Sequence, residues 1–146
     1  MYNDTITLFN WHEATERWYP TVFTRADVGE ITSSNSTAQA GKTGNDTVSI
    51  IIHCDADKSF TATDGTVKSY LRAKEYALCN DPAAHITFKP ERDFVYAGEW
   101  NDPQPVSDDD YEAGFYHEMN DTHDDVYMIS SAAFFSLLPH FEIGGR

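Results

Sequence analysis

The run Thr47-Val48-Ser49-Ile50-Ile51-Ile52-His53-Cys54 constrains the fold more than any other stretch. Side chains of a strand alternate between two faces. Val48, Ile50 and Ile52 therefore share one face, and Ser49, Ile51 and His53 share the other. Ile51 makes the second face partly apolar too, so the run reads as a central strand that needs neighbours.

Those neighbours are legible. Thr5–Phe9 alternates in the same way, and Trp18–Thr24 follows it. Together they read as a hairpin with a loop of about eight residues. Pro20 donates no ladder hydrogen bond, which puts it at an edge or bulge. Phe60–Ala62 and Val67–Tyr70 flank the turn signal Asp64-Gly65. His85–Lys89, Phe94–Ala97, Val126–Ser130 and Phe141–Ile143 are further short strands. Ser131–Leu138 fits helix or strand, with Pro139 as its stop.

Two helices are expected. Arg72–Leu78 ends before Asn80-Asp81-Pro82, because the residue before proline disfavours helical geometry. Ser107 reads as the cap of a second helix through Met119, with Asp110 at the capping-box position. Asp108, Asp109 and Asp110 suit the exposed amides of its first turn. Gly114 weakens its middle by roughly 1 kcal/mol against alanine.

The sum is mainly β: a small barrel or sandwich, which protects strand edges, with one or two short helices and long loops. The 146 residues support a single domain over 1–146. A content of 40% hydrophobic and 14% aromatic residues excludes a disordered chain. Flexible loops are expected around 27–45, which is rich in Ser, Thr, Gly and Asn, and around 55–67.

Charge limits the partners. There are 24 acidic residues against 10 basic ones, for a formal charge of -14. Such a chain does not grip nucleic acid non-specifically, which takes basic residues to displace counterions. An anionic membrane surface is excluded as main partner on the same ground, and no run reaches the ~18 apolar residues of a spanning helix. The opening Met1-Tyr2-Asn3-Asp4 lacks the positive region and apolar core of a signal peptide, so a cytosol, or a particle assembled there, is expected. The imbalance is uneven. Residues 1–92 hold 12 acids and 9 bases, whereas residues 93–145 hold 12 acids and no base. One face or end should therefore be strongly electronegative.

Motifs of catalysis fail on spacing. Asp55-x-Asp57-x-Ser59 begins like a calcium loop, but Phe60 and Thr66 stand where glycine and glutamate belong. His117-Glu118 begins like a zinc-protease helix, but Asp121 replaces the second histidine. No nucleophile elbow, phosphate loop or dinucleotide pattern is present. Adjacent carboxylates at Asp108–Asp110 fan apart on a helix turn and do not converge on an ion. His140 reads as structural. Cys54 and Cys79 read as half-buried thiols, with their pairing left open. No catalytic residue, metal or cofactor is expected, and the chain is read as a binding or structural module. The candidate interface residues are Trp11 and Trp100, aromatics beside polar loop positions, and the acidic run Asp108, Asp109 and Asp110.

The order of segments resembles small head-completion proteins of long-tailed bacteriophages and prophages. These are stopper-type head–tail connectors, grouped loosely with minor capsid proteins. The resemblance rests on the Thr5–Phe9 strand, the aromatic hairpin Trp18-Tyr19-Pro20-Thr21-Val22, the strand Thr47–Ile52, Tyr70-Leu71 and Lys74-Glu75-Tyr76. It continues through Phe88-Lys89-Pro90-Glu91-Arg92-Asp93-Phe94-Val95-Tyr96-Ala97-Gly98-Glu99 and the ending Leu138–Gly145. The whole chain is also similar to uncharacterised small proteins from phages and prophages of gut Firmicutes. The resemblance implies a virion protein assembled in the bacterial host cytoplasm. It would dock under the portal and its adaptor, close the DNA channel and receive the tail. It implies a ring in the virion, with DNA passing nearby without specific binding. The loops Asp27–Asn45 and Asp55–Val67 would face the channel or a neighbour. Like charges oppose ring closure by the isolated chain, so a monomer is expected alone. The alternatives are another phage minor structural protein, or an acidic binding module that mimics DNA.

Overall fold

The computed structural model describes residues 4–31 and 47–146. Six strands close an antiparallel barrel. They are β1 (Asp4–His12), β2 (Arg17–Ile31), β3 (Thr47–His53), β7 (Phe94–Tyr96), β9 (Val126–Phe135) and β10 (His140–Gly145). Around the barrel the order is β1-β7-β9-β10-β3-β2, and β1–β2 pairing closes it. β8 (Val106–Ser107) adds a short outer strand along Arg17 and Trp18 of β2. A separate three-stranded sheet holds β4 (Ser59–Thr61), β5 (Val67–Tyr70) and β6 (His85–Ile86). Among the described residues two short helices accompany the strands: α1 (Ala73–Leu78) and α2 (Phe115–Thr122).

The expected alternation builds two cores. Ile6 and Leu8 of β1, Ile50 and Ile52 of β3, Val95 of β7 and Ile143 of β10 line the barrel interior. Phe60, Ile86 and Phe88 from the small sheet and its following turn belong to the same core, with Phe60 against Phe23 and Phe141. The opposite face of β1 and β7 carries Phe9 and Phe94, stacked at 4.9 Å. They form a second, outer core with Trp18, Phe115, Met119 and Val126, covered by α2. Each strand of this seam thus buries both faces.

Several sequence expectations need correction. β2 does not stop at Thr24. It runs to Ile31 because Val28 pairs with Ile50 and Asp27 with Ile51 of β3, so β3 supplies the ladder that a polar segment could not. The loop expected from Asp27 is therefore strand through Ile31, and its remainder, 32–45, lies outside the described residues. The first hairpin is tighter than expected, with Glu13–Glu16 as its turn. Glu16 takes a positive φ of 55° there.

The stretch 55–67 is a folded hairpin and not a free loop, since it delivers Phe60 to the core at 1% exposure. Asp57 and Asp64 hold its ends, each accepting the backbone N–H and hydroxyl of a residue two positions on. The single helix expected over 107–119 is broken. Asp108–Asp110 form one 3-10 turn, Gly114 adopts a φ of +95°, and α2 starts only at Phe115. Ser107 makes no side-chain cap bond. Ser131–Leu138 resolves into strand to Phe135 and a turn over 136–139, because β10 pairs along it. Cys54 and Cys79 are free thiols.

Candidate functional site

Trp11, Trp100 and Asp108 converge on the outer aromatic core. Trp11 leaves β1 on the same face as Phe9. Its ring lies 5.1 Å from Trp18, and the Arg92 guanidinium sits 4.5 Å above it. Its Nε1 donates to Glu13 Oε1 at 2.8 Å. Trp100 follows β7. Its backbone N donates to Thr7 Oγ1 at 3.0 Å, and its ring meets Phe9 and Phe115 edge-on at 5.5 and 5.6 Å. Asp108 Oδ1 accepts two bonds, from Trp18 Nε1 at 2.9 Å and from the Phe115 N–H at 2.8 Å. Asp108 thus caps α2 across the Gly114 break, which satisfies one of the helix's first amides and ties the helix to the barrel. Asp109 and Asp110 are exposed beside it.

A second feature is the β9–β10 turn. Leu137 is 92% exposed, Leu138 74% and Phe135 44%. Burying a leucine is worth about 1.5–3 kcal/mol, so this tip leaves a sizeable hydrophobic gain unused. The tip is nevertheless held. His140 Nδ1 lies 2.6 Å from the Leu138 carbonyl, and its Nε2 lies 3.1 Å from Glu142 Oε2. The bond to the Leu138 carbonyl, aided by the carboxylate, holds the ring's pKa above the ordinary histidine value against its partial burial. The Phe135 ring stacks on His140 at 5.1 Å.

A third feature is a cavity of about 250 Å³ between β2, the β4–β5 turn and the segment after β7. Val22, Ala62, Trp100 and Pro103 give it apolar walls, and Lys68 reaches into it from β5. Lys68 Nζ donates to Thr21 Oγ1 at 2.7 Å and, more weakly, to the Pro20 carbonyl at 3.4 Å. Burial pushes the Lys68 pKa below the ordinary lysine value, although the Asp64 charge opposes this. The indole Nε1 of Trp100 is buried with no hydrogen-bond partner among the described residues.

The acidic surface lies apart from these groups in kind. Asp109, Asp110, Glu112, Glu118, Asp121, Asp124 and Asp125 are all exposed, within a stretch that contains no lysine or arginine. Among the described residues, no three His, Cys, Asp or Glu side chains are placed to hold a metal ion. Asp57 of the calcium-like run is occupied by Ser59. His117 is exposed on α2, while His123 ends it against the Tyr96 ring at 5.2 Å.

Sequence reading missed Lys68 and the Leu137–Leu138 tip. The tip had a signal: two leucines directly before Pro139, where a turn normally carries polar residues. Lys68 had none, because alternation in Val67-Lys68-Ser69-Tyr70 gives no hint of which end of the side chain is buried. Comparison with curated proteins and with solved structures gives no match. A family model matches over residues 1–146, and the chain belongs to that family, described as a family of unknown function (DUF6751).

Proposed function

We propose that this chain is a structural protein of the phage neck, not an enzyme, that docks under the portal and adaptor, closes the DNA channel and receives the tail. The observation that carries this reading is the apolar tip at Leu137 and Leu138, projecting from a closed barrel. A closed barrel has few free edges to offer, so contacts with neighbours fall to projecting turns and loops on a rigid scaffold. An apolar projection that is pinned in place and left in water marks an assembly contact. The resemblance of the order of sequence segments to head-completion proteins points the same way. Excess negative charge suits a channel wall past which DNA slides without sticking. It also keeps the free chain monomeric, with a ring forming only on the portal complex.

Gold-labelled antibody on intact particles tests this reading. Label at the head–tail junction is expected, and label on the shell or tail moves the protein to another structural role. A Leu137→Asp, Leu138→Asp double variant should fold normally yet be missing from particles. Full incorporation of that variant removes the tip from the argument.

A second reading is favoured by the acid-only stretch: an acidic module that binds a basic, DNA-handling protein by mimicking DNA. It is carried by the seven exposed carboxylates between Asp109 and Asp125. Capture of such a partner at low salt, lost at high salt, together with absence of label on particles, selects it.

A further inference from the structure

The cavity beside Trp100 has a use that the neck reading does not require. Lys68 stands out in a chain of 24 acids and 10 bases, because its ammonium is withdrawn into a pocket with no carboxylate within ion-pair distance among the described residues. Its two bonds go to neutral oxygens, one of them long, and an ammonium carries three donors. Taking a charge from water without an ionic partner is costly, and a bound anion would offset that cost. Asp64, whose charge acts on Lys68 from the cavity rim, makes no ion pair with it, and its Oδ1 accepts both the N–H and the hydroxyl of Thr66. Trp100 lines the same cavity, and its indole N–H is buried without a partner among the described residues, so its resonance reports on occupancy of the pocket beside it.

We infer that this cavity binds an apolar monocarboxylate, with the carboxylate on Lys68 and the apolar stem against Trp100, Val22, Ala62 and Pro103. Size and rim both narrow the class. A volume of about 250 Å³ falls just under the ~300 Å³ at which drug-sized pockets begin, so it fits a short acid or the last residue of a peptide. Asp64, Glu99 and Asp102 stand exposed among the lining residues and repel polyanions such as phosphates and nucleotides. One carboxylate that reaches Lys68 behind them is tolerated. The same chemistry is offered by a free aryl-alkyl acid and by the free C-terminus of a polypeptide.

The test follows the three indole N–H resonances of the full chain by nitrogen–proton correlation NMR. Trp11 and Trp18 donate to Glu13 and Asp108, so their signals serve as internal controls. Trp100→Phe assigns the third. The probes are 3-phenylpropionate, its neutral amide, and an acetylated tripeptide ending in phenylalanine as either free acid or amide. A saturable shift confined to Trp100 is expected with an acid and not with its amide. Binding should weaken at least about tenfold in Lys68→Met, as loss of a charged hydrogen bond implies. The acid that binds more tightly identifies the source, small molecule or chain end. Equal shifts from acid and amide, or no shift with any probe, overturn the inference. The acid–amide comparison in the unaltered chain keeps the test valid if Lys68→Met fails to fold.

Discussion

Asp93 offers the sharpest quantitative test of how the barrel is held. It is 1% exposed and lies at the end of the 89–93 turn, just before β7. Its Oδ1 accepts the Trp11 N–H at 2.9 Å, and its Oδ2 accepts the Lys89 N–H at 2.9 Å and Asn10 Nδ2 at 3.0 Å. One carboxylate therefore joins β1 to the turn that leads into β7. Burial pushes its pKa up to about 6 from 3.8, although all three bonds oppose the shift. The sign follows from linkage. Between 3.8 and 6 the folded chain holds a proton that the unfolded chain has released, so this contribution to stability falls as pH rises through that window. Over the full shift it amounts to about 3 kcal/mol. From pH 7 down to pH 5, the folded chain gains about 1 kcal/mol from this group.

Asp93→Asn removes the titration and keeps the shape. It also turns one acceptor into a donor facing donors, at a cost of about 1–3 kcal/mol. Urea unfolding of both chains at several pH values between 5 and 7 measures the difference, and the other carboxylates cancel in the subtraction. The stability gap between the native chain and the variant should widen by about 1 kcal/mol on going from pH 7 to pH 5. Parallel profiles refute the burial argument. A gap that narrows toward pH 5 reverses its sign and makes Asp93 an ordinary, depressed carboxylate.

Asp108→Ala should cost about 1–3 kcal/mol by chemical denaturation, because it strips the acceptor from both Trp18 and the first amide of α2. Asp109→Asn and Asp110→Asn should each stay within about 0.5 kcal/mol, and equal effects at all three positions contradict the cap. Phe60→Ala should destabilise by about 3–5 kcal/mol, since the ring fills the barrel core; a small effect would mean the β4–β5 hairpin is only loosely attached. The Cys54 thiol, pushed up to about 11 by burial and by Asp55 and Asp57, should react with iodoacetamide at pH 7.5 far more slowly in the folded than in the urea-unfolded chain.

The sequence showed strand identity better than strand length. Alternation in Thr5–Phe9 and Thr47–His53 marks both faces correctly, because each position's burial follows from its neighbours two residues away. Asp27–Ile31 resisted reading because its ladder comes from β3, a partner invisible to local composition. The acidic segment misled for a similar reason. Ser107 and Asp110 match a local capping pattern, yet the carboxylate that caps a helix is Asp108, acting on Phe115 from seven residues away. Trp11 and Trp100 were recognisable as aromatics at the margin of something. What they border, an outer core between the barrel wall and α2, depends on β1 and β7 lying side by side although 85 or more residues separate their paired positions.

That seam and its counterpart across the barrel also set an order of events. β10 alone joins β3 to β9, so synthesis must reach residues 140–145 before the ring of strands can close. Until then β3 and β9 present open backbone edges, the kind of surface that recruits strands from other chains. Closure also depends on pairings between distant segments, which form slowly because the entropy of a long loop is lost before the contacts return anything. The first hairpin, by contrast, needs only Glu13–Glu16 to turn and can form as soon as β2 emerges. A chain whose first hairpin has formed while β10 is still missing would carry two waiting edges, the arrangement most exposed to aggregation. The repulsion among its many carboxylates then acts before the fold exists, keeping half-made copies apart while the last strand arrives.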